Sequence, residues 1–425
     1  HTLQKICTFV KNFIMNILYT LITRLVACAL PLLSLFSKKI KLFYRGRKES
    51  FHILETHIQE DDQVIWLHTA SLGEYEQGLP IIKKLKEVFP KKKIAVTFFS
   101  PSGYEAKKHS KDADVILYLP MDIPKKVNHF LDLLHPEMAI FVKYEFWQNY
   151  LFGLKNRHIP TYLVSGMFRK DQLFFKKRSY GMRAVLPCFT HFFVQNENAK
   201  LLLQSIGFTN VTVSGDTRFD RVMEILSRDN KLSFVEEFLS GAPCMVFGSS
   251  WKADEDVYIP FLNSYKGNMK FIIAPHEVGN KDKILSLKER IHKYVGILSE
   301  VDKQKLPSYE VLIVDKIGLL TKIYSYASIA YVGGGMGEKG LHNILEPAVF
   351  SIPVVIGKNY EKFNEAKDLI EREGVFSIKD TDEFTKIASF LFTNVIQRKK
   401  AGVLNYNYII SNTGATNAFI NFVKK

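Results

Sequence analysis

The sequence predicts an α/β protein built as two Rossmann-like domains facing one another, each with a parallel sheet, preceded by an apolar membrane-anchoring helix. Three observations predict it. From Val64 onward, short β-branched and aromatic runs alternate with amphipathic helical segments. A polar, helical stretch over 221–243 interrupts that alternation, which then restarts. The strand-like runs are apolar throughout rather than alternating, which marks strands covered on both faces, hence parallel sheets between helices. A length of 425 residues, 47% apolar and 24% charged, suits two such domains and excludes a disordered, collagen-like or coiled-coil chain.

Residues 12–37 are strongly apolar, broken by Arg24 and Pro31. The run from Leu18 to Phe36 has roughly the 20 residues a spanning helix needs, yet carries a cation mid-span, which is costly at the bilayer centre. Lys38, Lys39, Lys41, Arg45, Arg47 and Lys48 follow, with no acid among them. A basic cluster beside an apolar helix predicts attachment to an anionic membrane surface. Residues 1–48 are therefore expected to form an anchor and basic segment. No small-residue cleavage site ends the run, which argues against a removed signal peptide.

In the first array the expected strands are VIWLH (64–68), KIAVTFF (93–99), VILYL (115–119), MAIFV (138–142), TYLVS (161–165) and HFFVQ (191–195), with helices over 75–89, 102–109 and 123–134. The second array offers CMVFGS (244–249), KFIIAP (270–275), YEVLIV (309–314), SIAYVGG (328–334) and PVVIG (353–357). The expected domains are 49–225 and 240–425.

Lys and Arg number 58 against 43 Asp and Glu, a formal net charge of +15. The excess points to an anionic partner: nucleic acid, a membrane surface or a phosphorylated substrate. No nucleic-acid-binding module is recognisable, so nucleic acid is not expected. Cys7, Cys28, Cys188 and Cys244 are scattered without a CxxC pair, which excludes a disulfide framework and a zinc ribbon. GxxxxGK[ST], HExxH and EF-hand patterns are absent from the sequence, so no metal is expected.

Ligands of open parallel sheets gather at the carboxyl ends of strands, which directs attention to the loops there. After the first strand, Ser71 and Glu74 have capping-box spacing; the same glutamate at a cleft could serve as a general base. Gly335, Gly337 and Gly340 satisfy GxGxxG by count, but the acidic residue a dinucleotide site needs is missing from the end of the next strand. A phosphate held by backbone N–H groups of this turn and a following helix start is the expectation instead. His342 and Glu346, i and i+4 on that helix, would share one face with Asn343 nearby. Gly248-Ser249-Ser250 and the loop at His276 offer further donors. Lys143-Tyr144-Glu145-Phe146-Trp147 mixes charge with aromatics, as a sugar- or lipid-binding rim does.

These blocks, in order, are similar to those of a known family: SLGE (71–74), SPSGYE (100–105), YLPMDIP (118–124), EFWQN (145–149), VSGMFR (164–169), GDTRFD (215–220), GSS (248–250), IIAPHE (272–277) and GLHNILEP (340–347). The chain resembles the Kdo transferases, which move 3-deoxy-D-manno-octulosonic acid from its CMP ester to the lipid A precursor of lipopolysaccharide. The resemblance implies a GT-B fold and an inverting, metal-independent glycosyltransferase without cofactor. It implies CMP-Kdo as donor and lipid IVA as acceptor, at the cytoplasmic face of the bacterial inner membrane, with no obligate protein partner. By motif position, Glu74 becomes the catalytic base of an acceptor domain. Ser249, Ser250, His276, Gly333, Gly334, Gly335, Asn343 and Glu346 become donor-binding, and Ser71, Gly73, Glu145 and Arg169 line the acceptor side or cleft. Two departures stand out: Lys143 replaces the first acid of the family's ExExW, and its arginine-containing APRHPER loop is shortened to APHEVGN (274–280). Alternatives are a GT-B transferase or epimerase using a UDP-sugar, and a catalytically silent membrane-associated binding protein.

Overall fold

The computed structural model describes residues 2–176 and 180–424, with side chains from Asn16 onward except at residue 180. The chain divides into two units, His1–Arg221 with Thr413–Lys425, and Val222–Asn412.

The first unit holds a seven-stranded sheet of order β3-β2-β1-β4-β5-β6-β7. Its strands are β1 Val64–Thr69, β2 Lys93–Phe98, β3 Val115–Tyr118, β4 Pro136–Val142, β5 Thr161–Gly166, β6 His191–Val194 and β7 Val211–Val213. Every neighbouring pair is parallel. β1 is buried along its whole length, as a two-sided strand must be. Trp66 on one face of β1 meets Phe130 and Phe141 edge-on, with centroids at 5.1 and 5.3 Å. Such pairs contribute about 0.5–1.5 kcal/mol each beyond area burial.

The second unit repeats the plan with order β10-β11-β9-β8-β12-β13-β14. These strands are β8 Cys244–Ser250, β9 Lys270–Pro275, β10 Val295–Ile297, β11 Val311–Ile313, β12 Ile329–Val332, β13 Val354–Gly357 and β14 Val375–Ile378. All pairs are again parallel. In each sheet the chain starts centrally, builds outward to one side, then returns to build the other. The strand order thus reverses between β1 and β4, and between β8 and β12, and the crevices at those switch points are where ligands of such sheets bind.

The N-terminal helix α1 (Thr2–Leu33) contains an 18-residue window, Asn16–Leu33, long and apolar enough to cross a membrane. Its side chains are largely bare: Leu21, Leu25 and Leu32 are more than half exposed, whereas Leu30 is buried. Helix α2 (Lys38–His57) follows, its N-terminus capped by Ser37. The expected boundary at 48/49 falls inside α2. Gly46, Arg47, Ser50 and Leu54 form the buried face of that helix, and the Ser50 hydroxyl donates to the Tyr118 carbonyl at 2.8 Å. Of the basic segment, Arg47 is therefore part of the first unit's packing, while Lys38, Lys39, Lys41, Arg45 and Lys48 are exposed. The expected second domain also ran too far. Phe419 and Ile420 of the last helix (Ala415–Val423) join the apolar cluster of Ile65, Tyr162 and Phe193, and Asp220 accepts the N–H groups of Gly414 and Thr416, each at 2.7 Å.

Candidate functional site

At the first switch point, β1 runs into helix α3 (Leu72–Val88) with Ser71 as the N-cap. The capping box that the spacing allows does not form. Ser71 makes no side-chain cap and donates its hydroxyl to the Glu74 carboxylate instead. Glu74, half-buried in the first turn of α3, is thereby oriented by its own loop, with the helix N-terminus favouring its negative charge. Gly73 beside it is exposed.

Next in the sheet, β4 ends at Val142, and Lys143, with φ of 67°, turns the chain sharply into Tyr144-Glu145. Glu145 accepts the indole N–H of Trp147 at 2.7 Å and lies 3.2 Å from Nε2 of His68, a fully buried residue of β1. On its other side His68 Nδ1 is 2.8 Å from the Thr97 hydroxyl, which also accepts the Trp66 indole N–H at 2.8 Å. The Trp147 indole N–H also lies 3.0 Å from His68 Nε2, so Trp147, Glu145 and His68 form one polar cluster backed by Thr97. Arg169 is exposed, with its guanidinium 5.7 Å from the Tyr144 ring centroid. Ser71, Gly73, Glu74, Glu145 and Arg169 all lie at or after the carboxyl ends of first-unit strands. His68 and Thr97, which hold Glu145, were missed by sequence reasoning because both sit inside apolar strands.

At the second switch point, Gly333 follows β12 directly and its N–H donates to the Gly248 carbonyl at 2.9 Å. A Cβ on Gly333 would lie 2.4 Å from the Ser249 carbonyl oxygen, and Gly334 has φ of +91°, so both positions demand glycine. The expected phosphate cradle is partly filled by the protein itself. Asp254, fully buried, accepts the N–H groups of Gly334 (2.9 Å), Met336 (3.3 Å) and Trp251 (2.9 Å) and the Tyr331 hydroxyl (2.9 Å). Two N–H groups of the glycine turn thus face a carboxylate and are unavailable to a ligand. Asp254 lies in the first turn of the helix Lys252–Ser264, and an acid in that first turn was the one signal that could have found it.

Ser250 is buried, accepting the Tyr258 hydroxyl at 3.2 Å, while half-buried Ser249 remains open. The expected helix containing His342 and Asn343 begins later, at Leu345. The Asn343 side-chain oxygen accepts the Leu345 N–H at 3.2 Å and so ends the preceding loop, and its amide donates to Glu346 at 3.2 Å. The expected pairing of His342 with Glu346 is therefore replaced. His342 accepts the Trp251 indole N–H at 3.1 Å and stacks on His276, with centroids 4.6 Å apart. His276 in turn stacks on Trp251 at 4.3 Å. Burial holds both imidazoles below the usual histidine range, and the neighbouring His276 lowers His342 further. Beside this stack a cavity of about 440 Å³ is lined by Ser250, Trp251, Glu277 and Lys283. Among the described residues, no group of three or more His, Cys, Asp and Glu side chains is placed to hold a metal ion.

Two parallel seven-stranded sheets with candidate residues at both switch points define a protein of the GT-B fold class. Solved structures with this fold include a UDP-GlcNAc 2-epimerase from Neisseria meningitidis (TM-score 0.59, 15% identity, 85% of this chain and 100% of that one). MurG from Acinetobacter baumannii is another (TM-score 0.55, 10% identity, 85% and 99%). The family model described as 3-deoxy-D-manno-octulosonic-acid transferase (kdotransferase) matches residues 45–221. A 3-deoxy-D-manno-octulosonic acid transferase of Haemophilus influenzae is 24% identical over 414 residues, 94% of this chain and 95% of its own. Its counterpart in Aquifex aeolicus is 29% identical over 333 residues, 77% and 86%. A bifunctional glycosyltransferase/methyltransferase of Fusobacterium nucleatum is 28% identical over 84% of this chain, which spans 57% of that protein's length. The first unit thus matches the Kdo transferase family model, and the chain is similar over most of its length to curated Kdo transferases.

Proposed function

We propose that this protein transfers Kdo from CMP-Kdo to a lipid A precursor, lipid IVA, with inversion, at the cytoplasmic face of the inner membrane. The observation that carries the reading is Glu74: a carboxylate at the first switch point, held by Ser71 and open to solvent on one side. In the proposed step Glu74 takes the proton of the acceptor hydroxyl as its oxygen bonds to the anomeric carbon of Kdo. The bond from that carbon to the CMP phosphate breaks, and CMP leaves with the electron pair. Because the donor is already activated, the protein's tasks are positioning, proton removal and support of the leaving phosphate. The second unit would hold CMP, with Gly335, Ser249 and the His276–His342 stack toward the donor and Asn343 and Glu346 toward phosphate or ribose. No catalytic metal enters this step. The exposed apolar side chains of α1 and the basic start of α2 support attachment to an anionic bilayer.

The test is transfer from CMP-Kdo to a tetra-acylated, bis-phosphorylated disaccharide, read by mass spectrometry. The wild type forms the Kdo adduct and Glu74→Ala does not, while thermal shifts with CMP, and not UDP, persist in both. Transfer retained by Glu74→Ala would overturn the role of Glu74. Stabilisation by UDP alone would overturn the donor.

A further inference from the structure

A second cavity, of about 300 Å³, lies in the first unit where α1 meets α2 and the loop after β3. Ala27, Leu30, Pro31 and Pro120 give it an apolar wall, while Arg47, Lys48 and Lys126 line it with three cations. Arg47 is 5% exposed and its Nε has no hydrogen-bond partner. Its other nitrogens donate only to the carbonyls of Phe43 (3.3 Å) and Phe99 (2.9 Å), and its guanidinium lies over the Phe43 ring at 3.4 Å. Burial lowers the guanidinium to about 9, still charged at neutral pH. Among the described residues, no carboxylate is paired with Arg47, Lys48 or Lys126. Asp122, one residue beyond the cavity wall, is taken up by the Tyr19 hydroxyl (2.6 Å) and the N–H groups of Asn149 (3.2 Å) and Tyr150 (3.1 Å).

A buried cation without a counter-charge is costly, and the missing partner is an anion. The volume is at the low end for ligand pockets, enough for a head group and not for a whole lipid. Flanking the wall, Val26, Leu32 and Leu33 are exposed on α1, so an acyl chain leaving the cavity would meet apolar surface. We propose that this cavity binds the phosphate of an acylated lipid, with Arg47, Lys48 and Lys126 around the phosphate and α1 along the first methylenes. Glu74 is not among the lining residues and the site needs no CMP, so lipid binding here can be read apart from the transfer reaction.

Native mass spectrometry of the full chain in dodecyl maltoside micelles tests it, with dioleoyl phosphatidate as the probe. One phosphatidate should be retained per chain, at least tenfold more tightly than dioleoyl phosphatidylcholine. Because replacing buried Arg47 endangers the fold, the exposed pair Lys48→Glu/Lys126→Glu carries the test, and circular dichroism checks its folding. That variant should lose at least tenfold in phosphatidate retention, while Lys38→Glu/Lys39→Glu, of equal charge change outside the cavity, should retain it. Equal loss in both variants, or full retention in the first, overturns the proposal. A bis-phosphorylated, tetra-acylated disaccharide added in competition separates the sources: displacement of phosphatidate assigns the site to the glycolipid acceptor, and its persistence assigns it to bilayer phospholipid.

Discussion

Nε2 of His68 lies 3.2 Å from the Glu145 carboxylate, joining the buried centre of β1 to the loop after β4 across the first switch point. The imidazole is wholly buried and the carboxylate is 14% exposed, so the pair presents one oxygen-bearing edge outward from an otherwise dry wall. Thr97 behind it and the Trp147 indole N–H, 2.7 Å from Glu145 and 3.0 Å from His68 Nε2, hold the pair in place.

Replacing His68 by Leu takes away the polar neighbour of a carboxylate, a contact worth about 1.5–3 kcal/mol. If Glu145 contacts substrate, transfer should fall about 10- to 100-fold, with kcat or KM moving while CMP binding does not. His68→Gln, which can still donate to Glu145, should recover most of the loss. Steady-state kinetics on the three proteins checks this, and equal rates for His68→Leu and wild type would exclude any role for the pair.

Ser71 gives a second, more local test. Its hydroxyl orients Glu74 rather than capping α3, so Ser71→Ala should leave helix stability nearly unchanged while slowing transfer about tenfold. A loss of about 1 kcal/mol in stability with normal turnover would be the signature of an ordinary cap. Comparing denaturation with single-turnover rates separates the two.

Asp254 should behave oppositely. Its oxygens accept from four donors, three of them backbone N–H groups, and asparagine offers one oxygen for that task. Leaving even one buried N–H unpaired costs about 1–3 kcal/mol. Asp254→Asn should therefore lower thermal stability by on the order of 2 kcal/mol and loosen the glycine turn, with CMP affinity falling alongside. Isothermal titration with CMP, together with a melting curve, reads both effects.

The distribution of what the sequence revealed follows from burial. Central strands such as β1 and β8 are apolar on both faces and were readable as continuous runs. The three strands that went unread, β7, β10 and β14, are short edge strands, of three, three and four residues. With one neighbour each, they need fewer apolar residues and leave a weaker pattern. The glycine turn was readable because close backbone approach admits no other residue. Asp254, His68 and Thr97 were not, because each acts through a partner distant in sequence: Asp254 with Gly334, and His68 on β1 with Glu145 after β4. The His342–Glu346 helix face was misread for a local reason, since Asn343 can end a loop as readily as continue a helix.

Asp122 links α1 to pH. It is 3% exposed, and burial pushes its carboxyl up to about 6 despite hydrogen bonds from Tyr19, Asn149 and Tyr150 that favour the charge. The unfolded chain releases that proton near 3.8, so between about 4 and 6 the folded state binds more protons than the unfolded one. Stability must then fall as pH rises through this window, by on the order of 2–3 kcal/mol, and the loss is complete above about pH 6. Asp122→Asn cannot titrate and should lack this component. The gap in stability between variant and wild type should therefore shift in the variant's favour from pH 4.5 to pH 7 and then level off. Unfolding of the first unit can be followed through Trp66 and Trp147, which both lie in it. Parallel curves for the two proteins would mean that Asp122 titrates as an ordinary carboxylate. Because the same carboxylate receives the Tyr19 hydroxyl at 2.6 Å, its ionisation also bears on how firmly α1 is held against the loop that walls the cationic cavity. Proteolytic release of α1 should accordingly respond to pH over the same interval in the wild type and not in Asp122→Asn.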